Sequence, residues 1–126
     1  MSGLTYDTGA LIAAENDRRL VWALHRATLN RGLIPTVPAG VLAEAWRGGP
    51  QAQLSRLLKG CSLEPLSETQ ARAVGVLAVA SGLEDTVDLA VAEGALRRGD
   101  AVVTSDRPHI EQAARAAGRV IAIHDA

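Results

Sequence analysis

The chain has 126 residues and 13.2 kDa, with 48% hydrophobic and 21% charged side chains. That composition supplies a packed core and excludes both a disordered chain and a disulfide-stapled miniprotein. Thirteen basic residues face 14 acidic ones, which argues against a protein that holds nucleic acid chiefly through a basic surface. Two Trp, one Tyr and no Phe leave a base-stacking platform nothing to stack with. No apolar run approaches the ~20 residues that a bilayer crossing needs. The first residues lack the basic flank and apolar stretch of a signal peptide, and the single Cys61 cannot form an internal bridge. One cytoplasmic domain over residues 1–126 is expected.

Short apolar strands alternate with helical stretches along the chain. Gly3–Asp7 reads as a strand running into the helical turns of Gly9–Ala14. From Asp17 to Arg31, Leu20, Leu24 and Ala27 recur at helical spacing, and Gly32 stops the helix. Leu33–Val37 is the next strand, with Pro35 arguing for an edge position or an early end. Pro38 suits the first turn of a helix that runs through Trp46 and ends at Gly48-Gly49-Pro50. Gln51–Lys59 is helical, and Cys61–Leu66 is a weak strand.

Ser67-Glu68-Thr69-Gln70 matches a capping box and opens a helix to about Ala80. Asp85 or Thr86 caps a helix that ends at Gly99. Ala101–Thr104 reads as a buried strand, Pro108–Ala117 as a helix and Val120–Ile123 as a last strand. Strands separated by helices imply parallel pairing with helices on both faces, a three-layer α/β sandwich. Such sheets take ligands outside the carboxyl ends of their strands.

Four carboxylates bear on that edge. Asp7 follows the first strand directly; as an N-cap it has an ordinary structural explanation. Glu44 is the sole acid between Asp17 and Glu64, on a helix otherwise apolar up to Arg47. A salt bridge to Arg47 would account for it, but a carboxylate turned away from bulk water needs a partner, and a metal is a good one. Asp88 suits the positive end of its helix. It nonetheless shares a face with Val91, Ala92 and Ala95, with Glu93 about 140° away around the helix. Asp106 follows the strand at 101–104 and precedes Pro108, again a normal cap position. Asp85 reads as the cap of its helix.

Each acid alone has a structural explanation; together they make an acidic pocket whose charges repel unless a cation compensates. Oxygen donors without a nearby His or Cys select Mg2+ or Mn2+, and metal-assisted phosphoryl transfer is the usual chemistry of such a site. His25, His109 and His124 lack metal-ligand spacing and read as structural. Trp22 reads as core. Trp46 and the Leu54/Leu57/Leu58 stripe fit either a core or an interface.

The sequence resembles the PIN-domain nucleases, and among them the VapC toxins of VapBC toxin–antitoxin pairs. The resemblance rests on Tyr6-Asp7-Thr8-Gly9-Ala10-Leu11-Ile12-Ala13, on Val37-Pro38-Ala39-Gly40-Val41-Leu42-Ala43-Glu44, on Asp88-Leu89-Ala90-Val91-Ala92-Glu93-Gly94-Ala95 and on Val102-Val103-Thr104-Ser105-Asp106. It implies a PIN fold and a Mg2+- or Mn2+-dependent endoribonuclease, a homodimer neutralised by a cognate antitoxin. Carried over by position, Asp7 and Asp88 would be direct metal ligands. Asp106 would complete the metal site directly or through water, and Glu44 would position the attacking water or a second ion. Thr104, or Ser105, matches the small hydroxyl residue that precedes the last acid. After Asp106 the chain has Arg107-Pro108-His109, where many relatives carry another acid.

Arg18, Arg19, Arg97, Arg98 and Arg107 are candidates for RNA contacts around the pocket, each also explicable as solvated surface. A haloacid-dehalogenase phosphatase would need a second Asp where Gly9 stands. A receiver domain would need an acidic pair after strand one and a late Lys, whereas the sole Lys is Lys59. The rival from another class is a PIN-like RNA- or protein-binding module with weak or no catalysis.

Overall fold

The computed structural model describes residues 3–126. In chain order its elements are β1 (Leu4–Tyr6), α1 (Thr8–Glu15), α2 (Arg19–Asn30), β2 (Thr36–Pro38), α3 (Ala39–Ala45) and α4 (Ala52–Leu58). They continue with β3 (Ser62–Glu64), α5 (Glu68–Ser81), α6 (Thr86–Arg98), β4 (Ala101–Thr104), α7 (Arg107–Ala116) and β5 (Ile123–Asp125). All strand pairs are parallel, and the sheet order is β3-β2-β1-β4-β5. The chain builds outward from β1 through β2 to β3, then crosses back to lay β4 and β5 on the other side. The order therefore reverses between β1 and β4, and sheets of this kind have their ligand crevice outside the carboxyl ends of such a pair. On one face α1 packs with α3 and α4; on the other, α6 lies against β1, β2 and β4 and is flanked by α5 and α7. This is the expected three-layer α/β sandwich.

Burial explains the strands. Every side chain of β1 and β4 is buried, as a strand covered on both faces requires. Tyr6, Leu11, Val37, Val41, Leu89, Val91, Val102 and Val103 are fully enclosed between the layers. Leu54 and Leu57 belong to that core, and Trp22 lies within it. Trp46, by contrast, is 41% exposed. Local chemistry fixes the helix ends. Asp7, Ser67 and Asp85 cap α1, α5 and α6 through side-chain oxygens, while Gly82 and Gly99 close α5 and α6 in the left-handed region. The α4 N-terminus is capped from a distance: Glu15 Oε2 accepts from the Leu54 amide at 2.7 Å, tying α1 to α4. Among the described residues no helix is long and apolar enough to cross a membrane.

Five local expectations differ from the structure. β2 begins after Pro35, whose carbonyl accepts from the Ser62 amide at 2.8 Å. Pro38 closes that strand rather than opening α3, at the position where its missing N–H costs least. β5 covers Ile123–Asp125 rather than 120–123, because the turn after α7 delivers the chain to Val102 only at Ile123. The buried side of α2 is Val21, Trp22, His25 and Thr28, while Leu20 is 52% exposed. Two polar residues can occupy that stripe because both are bonded: His25 Nδ1 to the Tyr6 hydroxyl at 2.8 Å, and the Thr28 hydroxyl to the Leu24 carbonyl at 2.9 Å. Finally, Ser67 accepts from the Gln70 amide, but Gln70 does not reach back; its amide group donates to Glu64 and to the Ala90 carbonyl.

Candidate metal centre

Asp7 stands where β1 becomes α1, and its carboxylate is 3% exposed. Oδ1 accepts from the Ala10 amide at 2.9 Å, which makes Asp7 the cap of α1. Oδ2 accepts from the Thr104 hydroxyl and from the Ser105 amide at 3.2 Å, so the end of β4 holds it from the opposite side. Burial pushes its carboxyl above the usual value, and the Asp106 charge adds to the rise. The bonds from Thr104, Ala10 and Ser105 oppose it. The α1 backbone can come this close to Ser105 because residue 9 is glycine: a Cβ there would lie 1.9 Å from Ser105 Oγ. The residue that separates this chain from the phosphatase pattern thus has a packing reason of its own.

Asp106 and Asp88 meet through His109, whose sequence spacing suggests no ligand role. His109 Nδ1 lies 2.7 Å from Asp106 Oδ2 and 3.0 Å from Asp88 Oδ2. One oxygen from each carboxylate and this nitrogen lie within 4.8 Å of one another, close enough to share one ion. Asp106 precedes α7, and its amide donates to the Thr104 hydroxyl at 2.7 Å. Asp88 heads α6, whose next buried residues, Leu89 and Val91, anchor it over the sheet. Burial raises the Asp88 carboxyl pKa most, and the charges of Asp85 and Asp106 raise it further; the His109 bond lowers it. His109 is pushed upward, first by its bond to Asp88 and then by Asp106, Asp88 and Asp85. Asp85 is the α6 cap, accepting from the Val87 and Asp88 amides at 3.0 Å each.

Glu44 departs from expectation. It is exposed, and its Oε1 accepts from the Thr8 hydroxyl at 2.5 Å rather than pairing with Arg47, whose guanidinium serves the Ala43 and Trp46 carbonyls. The physical reason is the shortness of α3: its buried side is taken by Val41 and Ala45, which leaves residue 44 outward toward the start of α1. The arginine set divides as well. Arg97 pairs with Glu64 and Glu93, and Arg98 with Glu64 and Asp100, at the end of α6 remote from Asp88. Arg107 pairs with Asp125 and Glu111. Exposed Arg18 and Arg19 make no ion pair among the described residues and line a groove with Gly9, Asn16, Ser105 and Asp125.

The structure therefore joins Asp7, Thr104, Ser105 and Asp106 in one hydrogen-bonded unit, and Asp106 with Asp88 in another. Glu44 is tied to the first through the residue that follows Asp7. His25 is buried and bonded to Tyr6, as a structural histidine would be, whereas His109 lies between two of the expected acids. The available signal was Asp106-x-x-His109 at a helix start, where residues three apart share a side. The expectation of oxygen donors with no nearby imidazole is corrected accordingly. Two carboxylates and an imidazole, two of the three partly desolvated and mutually repelling acids, fit a divalent cation.

No protein-family model matches the chain, and no curated protein matches it. Among solved structures it resembles a chain in the crystal structure of VapBC2 from Rickettsia felis bound to a DNA fragment from their promoter. The TM-score is 0.67 at 16% identity, with 98% of each chain covered. The likeness is one of fold alone.

Proposed function

We propose that the chain is a Mg2+- or Mn2+-dependent endoribonuclease of the PIN type, acting as the toxin of a VapBC-like toxin–antitoxin pair. The observation that supports the reading is the cluster of Asp88, Asp106 and His109, with Asp7 outside that cluster but bonded to Thr104 and Ser105 at the end of β4, just before Asp106. The whole-chain likeness in fold to a component of a VapBC2 complex supports the toxin–antitoxin part.

In this reading Asp88 and Asp106 hold the ion directly and Asp7 completes its surroundings from the floor of the crevice. The ion supplies charge neutralisation at the phosphate and activates a water. Thr104 fixes the Asp7 carboxylate so that little reorganisation accompanies reaction. Glu44, exposed at the rim, orients the attacking water. Arg18 and Arg19 receive the RNA backbone on the side where the groove opens, compensating for the acidity of the centre. The antitoxin places a basic side chain among the carboxylates, and a second copy of the chain forms a homodimer.

The test is cleavage of a structured RNA by the purified chain. Cleavage with Mg2+ or Mn2+, its loss with a chelator and its loss in Asp7→Asn are expected. RNA binding without cleavage in any of these ions would favour the binding-module reading instead.

A further inference from the structure

We propose that His109 is a direct ligand of the divalent cation through Nδ1, and that it makes this site take Mn2+ in preference to Mg2+. The inference rests on the metal-dependent reading above and adds to it a residue and an ion preference.

Two donors bound at right angles to one ion, each ~2.1 Å from it, lie about 3.0 Å apart. His109 Nδ1 stands 2.7 Å from Asp106 Oδ2 and 3.0 Å from Asp88 Oδ2, close to the separation between the imidazole and each carboxylate that neighbouring donors on an octahedral ion need, and all three atoms lie within 4.8 Å of one another. Small shifts, rather than a rebuilt helix, would convert the metal-free arrangement into a ligand set. In that metal-free arrangement the ring N–H occupies the place of a cation between two acids.

Local structure holds the imidazole there. Asp106 is the cap of α7 and His109 its third residue, so both side chains rise on one side of the first turn. Pro108 restricts the backbone between them. Arg107 is turned the other way by its bonds to Asp125, at 3.0 Å, and to Glu111. The His109 side chain remains 43% exposed and that of Asp106 38%, so an ion from solvent reaches both.

Donor chemistry then sets the preference. Mg2+ is a hard ion that favours oxygen, and a nitrogen in its place gains little. Mn2+ stands at the weak end of the first-row order for nitrogen donors, yet as a transition-metal ion it takes an imidazole with less loss than Mg2+ does. A carboxylate at position 109 would give an all-oxygen set suited to Mg2+; the imidazole tilts the balance.

The experiment is titration of the purified chain with Mn2+ alone and with Mg2+ alone, together with pulsed electron paramagnetic resonance of the Mn2+ complex. Wild type is expected to show nitrogen coupling to Mn2+. His109→Gln is expected to lose that coupling and to bind Mn2+ about tenfold more weakly, with Mg2+ affinity little changed. His109→Asp is expected to shift the preference toward Mg2+. Because residue 109 is partly exposed, both variants should fold, which circular dichroism checks. If Mn2+ binds wild type and Asp88→Asn abolishes binding, yet no nitrogen coupling is seen and His109→Gln binds as wild type, His109 is only a counter-charge; the metal-site reading then survives and this inference falls. If wild type binds neither ion, both fall together.

Discussion

The Thr104 hydroxyl donates to Asp7 although the two residues are 97 positions apart, and both are buried. The same oxygen accepts from the Asp106 amide at 2.7 Å, so one side chain orders the end of β4, the start of α1 and the approach to α7. Thr104→Val keeps the shape but removes both bonds. A buried bond to a charged acceptor contributes on the order of 2 kcal/mol, and a loss of about that size is expected in urea unfolding. Thr104→Ser, which retains the hydroxyl, should lose much less.

Gly9 and Ser105 are in closer contact than a side chain at position 9 would permit. Gly9→Ala drives a methyl group into Ser105 Oγ and pulls the Ser105 amide from Asp7. Overpacking of this kind costs about 1–3 kcal/mol. Adding Ser105→Gly to the same chain removes the clash, so the double variant should recover much of the loss in the same unfolding measurement.

In the metal-free chain His109 sits above its ordinary imidazole pKa because of Asp88 and Asp106. A raised folded-state pKa means stability that is present below the ordinary value and lost as pH rises through the raised one. Asp88 and Asp7, also raised, act with the same sign in a more acidic range. His25, lowered by burial, acts oppositely: its contribution is lost as pH falls. The clean observable is the difference in melting temperature between wild type and His109→Gln in chelator. It should favour wild type at about pH 5 and shrink toward pH 8; a difference constant with pH would refute the ion-pair role of His109.

An antitoxin that fits the proposed site brings an Arg, whose planar guanidinium bridges two carboxylates. Changing that Arg to Ala should release RNA cleavage by the purified complex while the complex itself persists, because the rest of the interface is untouched. Unchanged inhibition would mean that the partner acts by covering the RNA path.

The architecture was readable because β1 runs into the capping Asp7, β3 into Pro65, and α5 and α6 stop at Gly82 and Gly99, while the most apolar strands are the buried ones. Ala101–Thr104 falls where its pattern puts it, and Asp85 and Asp7 cap as their positions suggest. What hydropathy could not reveal depends on partners distant in sequence. His25 and Thr28 are buried because the Tyr6 hydroxyl and the Leu24 carbonyl satisfy them, so the inward side of α2 keeps Leu24 from the expected stripe but leaves Leu20 and Ala27 exposed. Glu44 looked buried because its neighbours are apolar, yet a helix as short as α3 leaves one side open. The sequence pattern does not single out His109, because its partners come from two elements, Asp88 on α6 and Asp106 before α7, and no linear spacing records that meeting.

Anomalous diffraction from Mn2+-soaked crystals would locate the ion without reference to activity. A peak bounded by Asp88 and Asp106 oxygens at ~2.1–2.2 Å, on the crevice side facing Asp7, is the expected result. Full occupancy of Mn2+ elsewhere on the chain, with Asp88 and Asp106 still joined only through His109, would contradict the proposed site.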